Sequence, residues 1–131
     1  MVIEFHLNAR SGVAPYLQLI HQVRQALRLG LLREGDRLPK VKDVAVGLAI
    51  NPNTVLKAYR ALEFEGLVAA RPGIGTFVTG TLGGAPLAAH GPLRRELQRW
   101  LAKARRAGLD DESIEALMMN TFRSAAGEDI A

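Results

Sequence analysis

The chain has 131 residues, 48% of them apolar, and no cysteine, enough for one domain with an appendage and incompatible with global disorder, disulfides or thiolate metal sites. No apolar run approaches the roughly 20 residues that span a bilayer, and Glu4 and His6 interrupt the only early apolar stretch, so a cytoplasmic protein with no secretory signal is expected. The net charge is +4 with an isoelectric point near 10.0, which favours an acidic partner.

Residues 2–8 alternate Ile3, Phe5 and Leu7 against Glu4, His6 and Asn8, the period of a strand. A helix is expected from Pro15, a good first-turn residue, to Gly30, suited to the left-handed position after a helix end. Tyr16, Ile20, Val23 and Leu27 share its apolar face, with Gln18, Arg24, Gln25 and Arg28 turned away. After the polar turn Glu34-Gly35-Asp36-Arg37, Pro39 is expected to open a second helix on which Val41, Val44, Ala45 and Leu48 recur at helical spacing. A third helix follows, with Asn51 as N-cap, Pro52 in the first turn and Val55, Ala58, Tyr59 and Leu62 inward.

Helices this short do not persist alone in water, so the pair must dock on its neighbours. The apolar stripes account for that docking. They do not account for Asn51, Asn53, Thr54 and Lys57 at the exposed start of the third helix, where base edges and phosphates find their partners on a major-groove probe. For Asn51 the capping duty outweighs base contact; Asn53, Thr54 and Lys57 have no comparable structural role in the sequence.

Residues 67–79 read as a hairpin, Leu67-Val68 and Thr76-Phe77-Val78 flanking the turn Pro72-Gly73-Ile74-Gly75. Arg71 at its edge suits a phosphate or the minor groove, while Gly73 and Gly75 serve either the bend or the contact. Gly80–Pro92 has four glycines and two prolines and reads as a linker. Two amphipathic helices follow over residues 93–126. Leu93, Leu97, Trp100, Leu101 and Ala104 line the first, and Ile114, Leu117, Met118, Thr121, Phe122 and Ala125 the second, with Asp110 or Asp111 as its cap. Two helices alone cannot cover that surface, so they need the first domain or a second copy of themselves. A second copy of the hairpin would bury Leu97, Trp100, Leu101, Leu117, Met118 and Phe122.

The first of these helices carries Arg94, Arg95, Arg99, Lys103, Arg105 and Arg106 against one acid, Glu96. A solvated face is favoured over a second DNA contact, because Asp110, Asp111, Glu112 and Glu115 follow closely. His6, His21 and His90 have no ligand spacing, and no nucleophile–base pair or cofactor loop is present, so no catalytic residue, metal or cofactor is expected.

The architecture expected is mainly α with a small β-hairpin: a winged helix-turn-helix over 1–79, a linker over 80–92 and a helical hairpin over 93–126. The run from Tyr16 to Val78 resembles the DNA-binding domain of the GntR family of bacterial transcription regulators. The resemblance rests on Pro15-Tyr16, Gly35-Asp36-Arg37-Leu38-Pro39, Asn51-Pro52-Asn53-Thr54-Val55, Glu65-Gly66-Leu67 and Gly73-Ile74-Gly75-Thr76-Phe77-Val78. Its Asn-Pro-Asn-Thr-Val string and short C-terminal hairpin look most like the YtrA subfamily. The resemblance implies a homodimeric repressor of a transporter operon, bound to double-stranded operator DNA, with any small-molecule effector unknown. It also implies DNA contacts at Lys40 and Lys42, where family members usually have Ser and Arg, and at Asn51, Asn53, Thr54, Lys57 and the wing residues Gly73 and Gly75. Without the resemblance, a winged-helix protein–protein adaptor remains the alternative.

Overall fold

The computed structural model describes residues 3–82 and 87–127. The chain divides into two compact units, residues 1–89 and 90–131. The first holds helices α1 (Pro15–Arg28), α2 (Val41–Leu48) and α3 (Pro52–Phe64), then strands β1 (Val68–Arg71) and β2 (Gly75–Val78). Helix α4 (Leu87–Arg106) runs into the second unit, where α5 (Asp111–Ala125) completes a hairpin.

In the first unit α3 is the central element, packing on α1, α2 and β1. Its inner residues Val55, Ala58, Tyr59 and Leu62 are buried in one cluster with Leu19 and Val23 of α1 and Leu38 of the connecting loop. The strands form an antiparallel hairpin in which Val68 faces Val78 and Arg71 faces Gly75. The polar turn before α2 adds a third backbone track beside β2: Gly35 N donates to Val78 O at 2.8 Å, Val78 N to Asp36 O at 2.7 Å and Leu38 N to Thr76 O at 2.8 Å. A two-stranded hairpin is marginal on its own, and this third track ties it to the helical core.

Several expectations are corrected. Residues 3–8 keep their in–out alternation, with Phe5 buried and Glu4, His6 and Asn8 exposed, but they join no sheet. Their partners are glutamine side chains of α1. His6 N donates to Gln22 Oε1 at 3.1 Å and Gln22 Nε2 returns a bond to His6 O at 2.6 Å; Gln18 does the same for Asn8, at 2.8 and 3.0 Å. One helical turn between the glutamines spans about 6 Å, close to the two-residue repeat of an extended chain. Gln18 is therefore not a free surface residue, and neither is Arg24, which forms an ion pair with Glu65 at the C-cap of α3. Helix α2 begins two residues after Pro39, with Lys40 as its N-cap.

The stretch 80–92 is a linker only in part: residues 83–86 lie outside the described residues, and from Leu87 the chain is helical through Gly91 and Pro92. Leu87, Ala88 and Ala89 are strong helix formers, and a proline in the second turn forfeits one bond of a long ladder.

In the second unit, Gly108 (φ +94°) closes α4 and Asp110 caps α5, accepting from Ser113 N at 2.8 Å. Hydrogen bonds from the Ser113 side chain and from its backbone N–H hold the Asp110 carboxyl below its ordinary pKa. Only Ala104 and Ile114 are buried among the described residues of this unit. No described helix is long and apolar enough to cross a membrane.

Candidate nucleic-acid interface

The turn between α2 and α3 is built from local chemistry. Ala49 ends α2 in the left-handed conformation (φ 55°, ψ 47°). Two residues later Asn51 caps α3, its Oδ1 accepting from Asn53 N at 2.8 Å. Pro52 sits at the first helical position, where a missing N–H costs nothing. The chain reverses within a few residues, so the first turn of α3 carries no covering element, and Asn53 and Lys57 are exposed with Thr54 half-buried.

Helix α3 is held against the start of α2 by Tyr59, whose hydroxyl donates to Pro39 O at 2.6 Å. Burial raises the phenol pKa well above its ordinary value, so Tyr59 remains a neutral donor throughout the physiological range. Its ring also meets Phe5 with centroids 6.5 Å apart. This anchor keeps exposed Lys40 and Lys42 on the two-helix unit that presents Asn53 and Thr54.

Lys57 has a structural duty that its sequence context did not reveal. Its Nζ lies 3.9 Å from the centroid of the Tyr16 ring on α1. A cation–π contact at an exposed site contributes about 0.5–1 kcal/mol, weak enough for a phosphate to displace. Arg60, exposed three residues further along, makes no ion pair among the described residues. It is seven residues from Asn53, so helical spacing puts the two on one face; that spacing was the available signal for a residue the sequence reading did not nominate.

The wing is braced by arginines. Arg37 and Arg71 both approach the Phe77 ring, at 5.9 and 4.9 Å from its centroid, and Arg37 Nη2 donates to the Ile74 carbonyl at the turn. Arg37, too, was not nominated from sequence, because its partner lies 37 residues away. A groove of about 440 Å³ runs between the start of α2 and the wing, lined by Arg37, Lys40, Arg71, Gly73, Ile74 and Gly75 among others. It unites Lys40, Arg71, Gly73 and Gly75; Lys42, Asn51, Asn53, Thr54 and Lys57 lie outside it. Ile74 is 58% exposed at the tip.

The two wing glycines differ in their requirement. Gly73 (φ +77°) has open space where a Cβ would stand, whereas at Gly75 (φ +148°) a Cβ would come within 2.7 Å of Arg37 Nε. Gly75→Ala is therefore expected to cost about 2–3 kcal/mol, chiefly from backbone strain, since the guanidinium at the end of the Arg37 side chain can swing aside, against about 1–2 kcal/mol for Gly73→Ala. Urea unfolding of the two variants checks this, and equal losses would contradict the greater backbone strain assigned to Gly75.

In the second unit, a shallow apolar groove of about 600 Å³ is lined by Leu97, Trp100, Leu117, Met118 and Phe122, together with Met119 and Thr121. Five of the six residues expected at a dimer contact thus share one surface. Leu101 is half-buried and does not line the groove. Among the described residues no group of three His, Cys, Asp or Glu is placed to hold a metal ion.

Comparison with known proteins matches this geometry to a family. Residues 15–78 fit the family described as bacterial regulatory proteins, gntR family. The chain is 38% identical over 73 residues to the HTH-type transcriptional repressor YtrA of Bacillus subtilis, covering 56% of each; it spans little more than half the length of that relative. Among solved structures it is similar to YtrA from Sulfolobus acidocaldarius, a GntR-family transcription factor, with 28% identity, a TM-score of 0.54 and coverage of 74% of this chain and 96% of that one. A transcriptional regulator from Oenococcus oeni is 31% identical with a TM-score of 0.50, over 90% of this chain and 99% of that one.

Proposed function

The chain belongs to the GntR family of bacterial regulatory proteins, and from that premise we propose that it is a cytoplasmic, sequence-specific DNA-binding repressor acting as a homodimer on a pseudo-palindromic operator. The observation that carries this reading is the first turn of α3, where Asn53 is exposed and Thr54 half-exposed on a helix whose opposite face is packed. Lys40 and Lys42 at the start of α2 and Arg71 on the wing are exposed cations of the same unit, and Asp43 is the one acid in the sequence from residue 38 to residue 60. Each protomer sets α3 into a major groove, with half-sites about 34 Å apart. Asn53 reads adenine, Thr54 takes a phosphate or a thymine methyl, and Lys40 and Lys42 neutralise phosphates.

The apolar groove of the second unit supports the dimer. Two hairpins facing each other make a four-helix arrangement that gives Leu97, Leu117 and Phe122, exposed by 44, 43 and 67%, a common core. Control of a transporter operon extends the reading by analogy with the subfamily.

The test is a salt titration of binding to the protein's own promoter region, followed by selection of bound fragments from random DNA. Lys42→Ala is expected to lower the slope of log K against log salt by about 0.9 for each phosphate left without its lysine, without changing which sequences are selected. Asn53→Ala should cost about 1–3 kcal/mol on the preferred site and relax selection at one base pair of each half-site. A wild-type affinity independent of salt would remove the DNA reading and leave a winged-helix adaptor for another protein.

A further inference from the structure

We infer that the cationic face of α4 is a second, sequence-independent contact for the phosphate backbone of double-stranded DNA. Arg95, Arg99, Lys103 and Arg106 recur at steps of four, four and three residues, which sets them along one side of the helix. All four are exposed, and none makes an ion pair among the described residues. No acid of α4 or α5 pairs with them among the described residues: Asp111 pairs with Arg105 at 3.1 Å, Asp110 caps Ser113 N, and Glu96, Glu112 and Glu115 form no ion pair.

Like charges one turn apart destabilise a helix. Three successive pairs of them form a standing cost that an anionic partner relieves. Proximity to the helix C-terminus offsets that cost for Lys103 and Arg106; Arg95 and Arg99 lie too far from it. The run from Arg95 to Arg106 covers about 16 Å, a length over which a duplex presents one charge per roughly 1.7 Å of its axis.

The chemistry of this face selects nucleic acid over other anionic partners. Ala102 is the apolar residue among these cations, so the face has no aromatic or aliphatic anchor of the kind an interfacial membrane helix or a protein contact uses. Three of the four cations are arginine, whose planar fork matches phosphate oxygens. The apolar groove residues Leu97 and Trp100 are out of step with the cationic residues, so a second copy can occupy the groove while the cations stay free.

This inference rests on the DNA-binding reading, and its failure can be told apart from failure of that reading. In the full-length chain, R95Q/R99Q/K103Q/R106Q should lower the salt slope by about 2–4 per protomer while the bases selected from random DNA stay the same. The lysine variant R95K/R99K/R106K should keep the wild-type slope, separating charge from helix structure. Circular dichroism and sedimentation establish that both variants are folded with the wild-type oligomeric state; if the quadruple variant is not, R95Q/R99Q is measured in its place, with a slope lower by about 1–2. A wild-type slope in the glutamine variant overturns the inference and leaves the role of Asn53 intact. Unchanged DNA binding with abolished binding to phosphatidylserine–phosphatidylcholine vesicles overturns it in favour of a lipid surface. Absence of any salt slope in the wild type would instead overturn the DNA-binding reading itself.

Discussion

Leu62→Ala is expected to lower the stability of the first unit by about 3–5 kcal/mol. Leu62 is 0% exposed on the inner face of α3 and belongs to the cluster that includes Leu19, Val23, Leu38 and Val68. Those neighbours come from a helix, a loop and a strand, and α3 is the element against which the others pack. A cavity walled by several elements collapses less than one under a single loop, so the loss lies toward the upper part of the range for leucine truncation. In a unit of this size each kcal/mol shifts the melting midpoint by about 4–8 °C. The midpoint should therefore fall by roughly 12–40 °C. Thermal and urea unfolding measure it. A loss below about 1 kcal/mol would show that the site collapses and that α3 is not the keystone of the core.

Phe122→Glu is expected to convert a dimer into a monomer with an intact fold. Phe122 is 67% exposed in the single chain, so a carboxylate there is solvated in the monomer and costs the hairpin little. In a dimer the same carboxylate would lie in the apolar groove with Leu97, Leu117 and Met118, where burial without a partner is strongly unfavourable. An aromatic side chain at the centre of a contact commonly carries about 2 kcal/mol or more, and the introduced charge adds to that loss. Operator affinity should fall by about 10²-fold or more, because binding of the second half-site ceases to be intramolecular. Sedimentation equilibrium and operator binding read the two effects together. A variant that stays dimeric would rule out this groove as the contact, while leaving the proposed DNA contacts of α3 untouched.

Helix α3 and the turn before it were legible because their determinants are local. Asn51, Pro52 and the spacing of Val55, Ala58, Tyr59 and Leu62 act within one or two turns, and the structure places each as its chemistry requires. The glycine turn of the wing and the cap of α5 were legible for the same reason. The pairing of residues 3–8 was not legible, because period-two alternation reports which side chains point inward and is silent on what satisfies the backbone. Glutamines of α1, ten and sixteen residues away, supply that satisfaction instead of a strand. The start of α4 was obscured by Gly91 and Pro92, whose helix-breaking weight is an average overridden in a long helix.

Composition, periodicity and capping were therefore sufficient for the three helices and hairpin of the winged helix-turn-helix and for nominating Asn53 and Thr54, but not for the N-terminal segment or the start of α4. Partnerships across tens of residues were decided by packing alone. Arg37 bracing the wing at Ile74 and Phe77, Tyr59 tying α3 to Pro39, and Lys57 resting on Tyr16 are all of this kind. The pairing of Arg105 with Asp111 spans only six residues but crosses the turn between α4 and α5, and among the described residues it leaves Arg95, Arg99, Lys103 and Arg106 without an ion pair. Local propensity operates over a few residues of chain, whereas a cation's partner depends on which surface folding brings within about 4 Å of it.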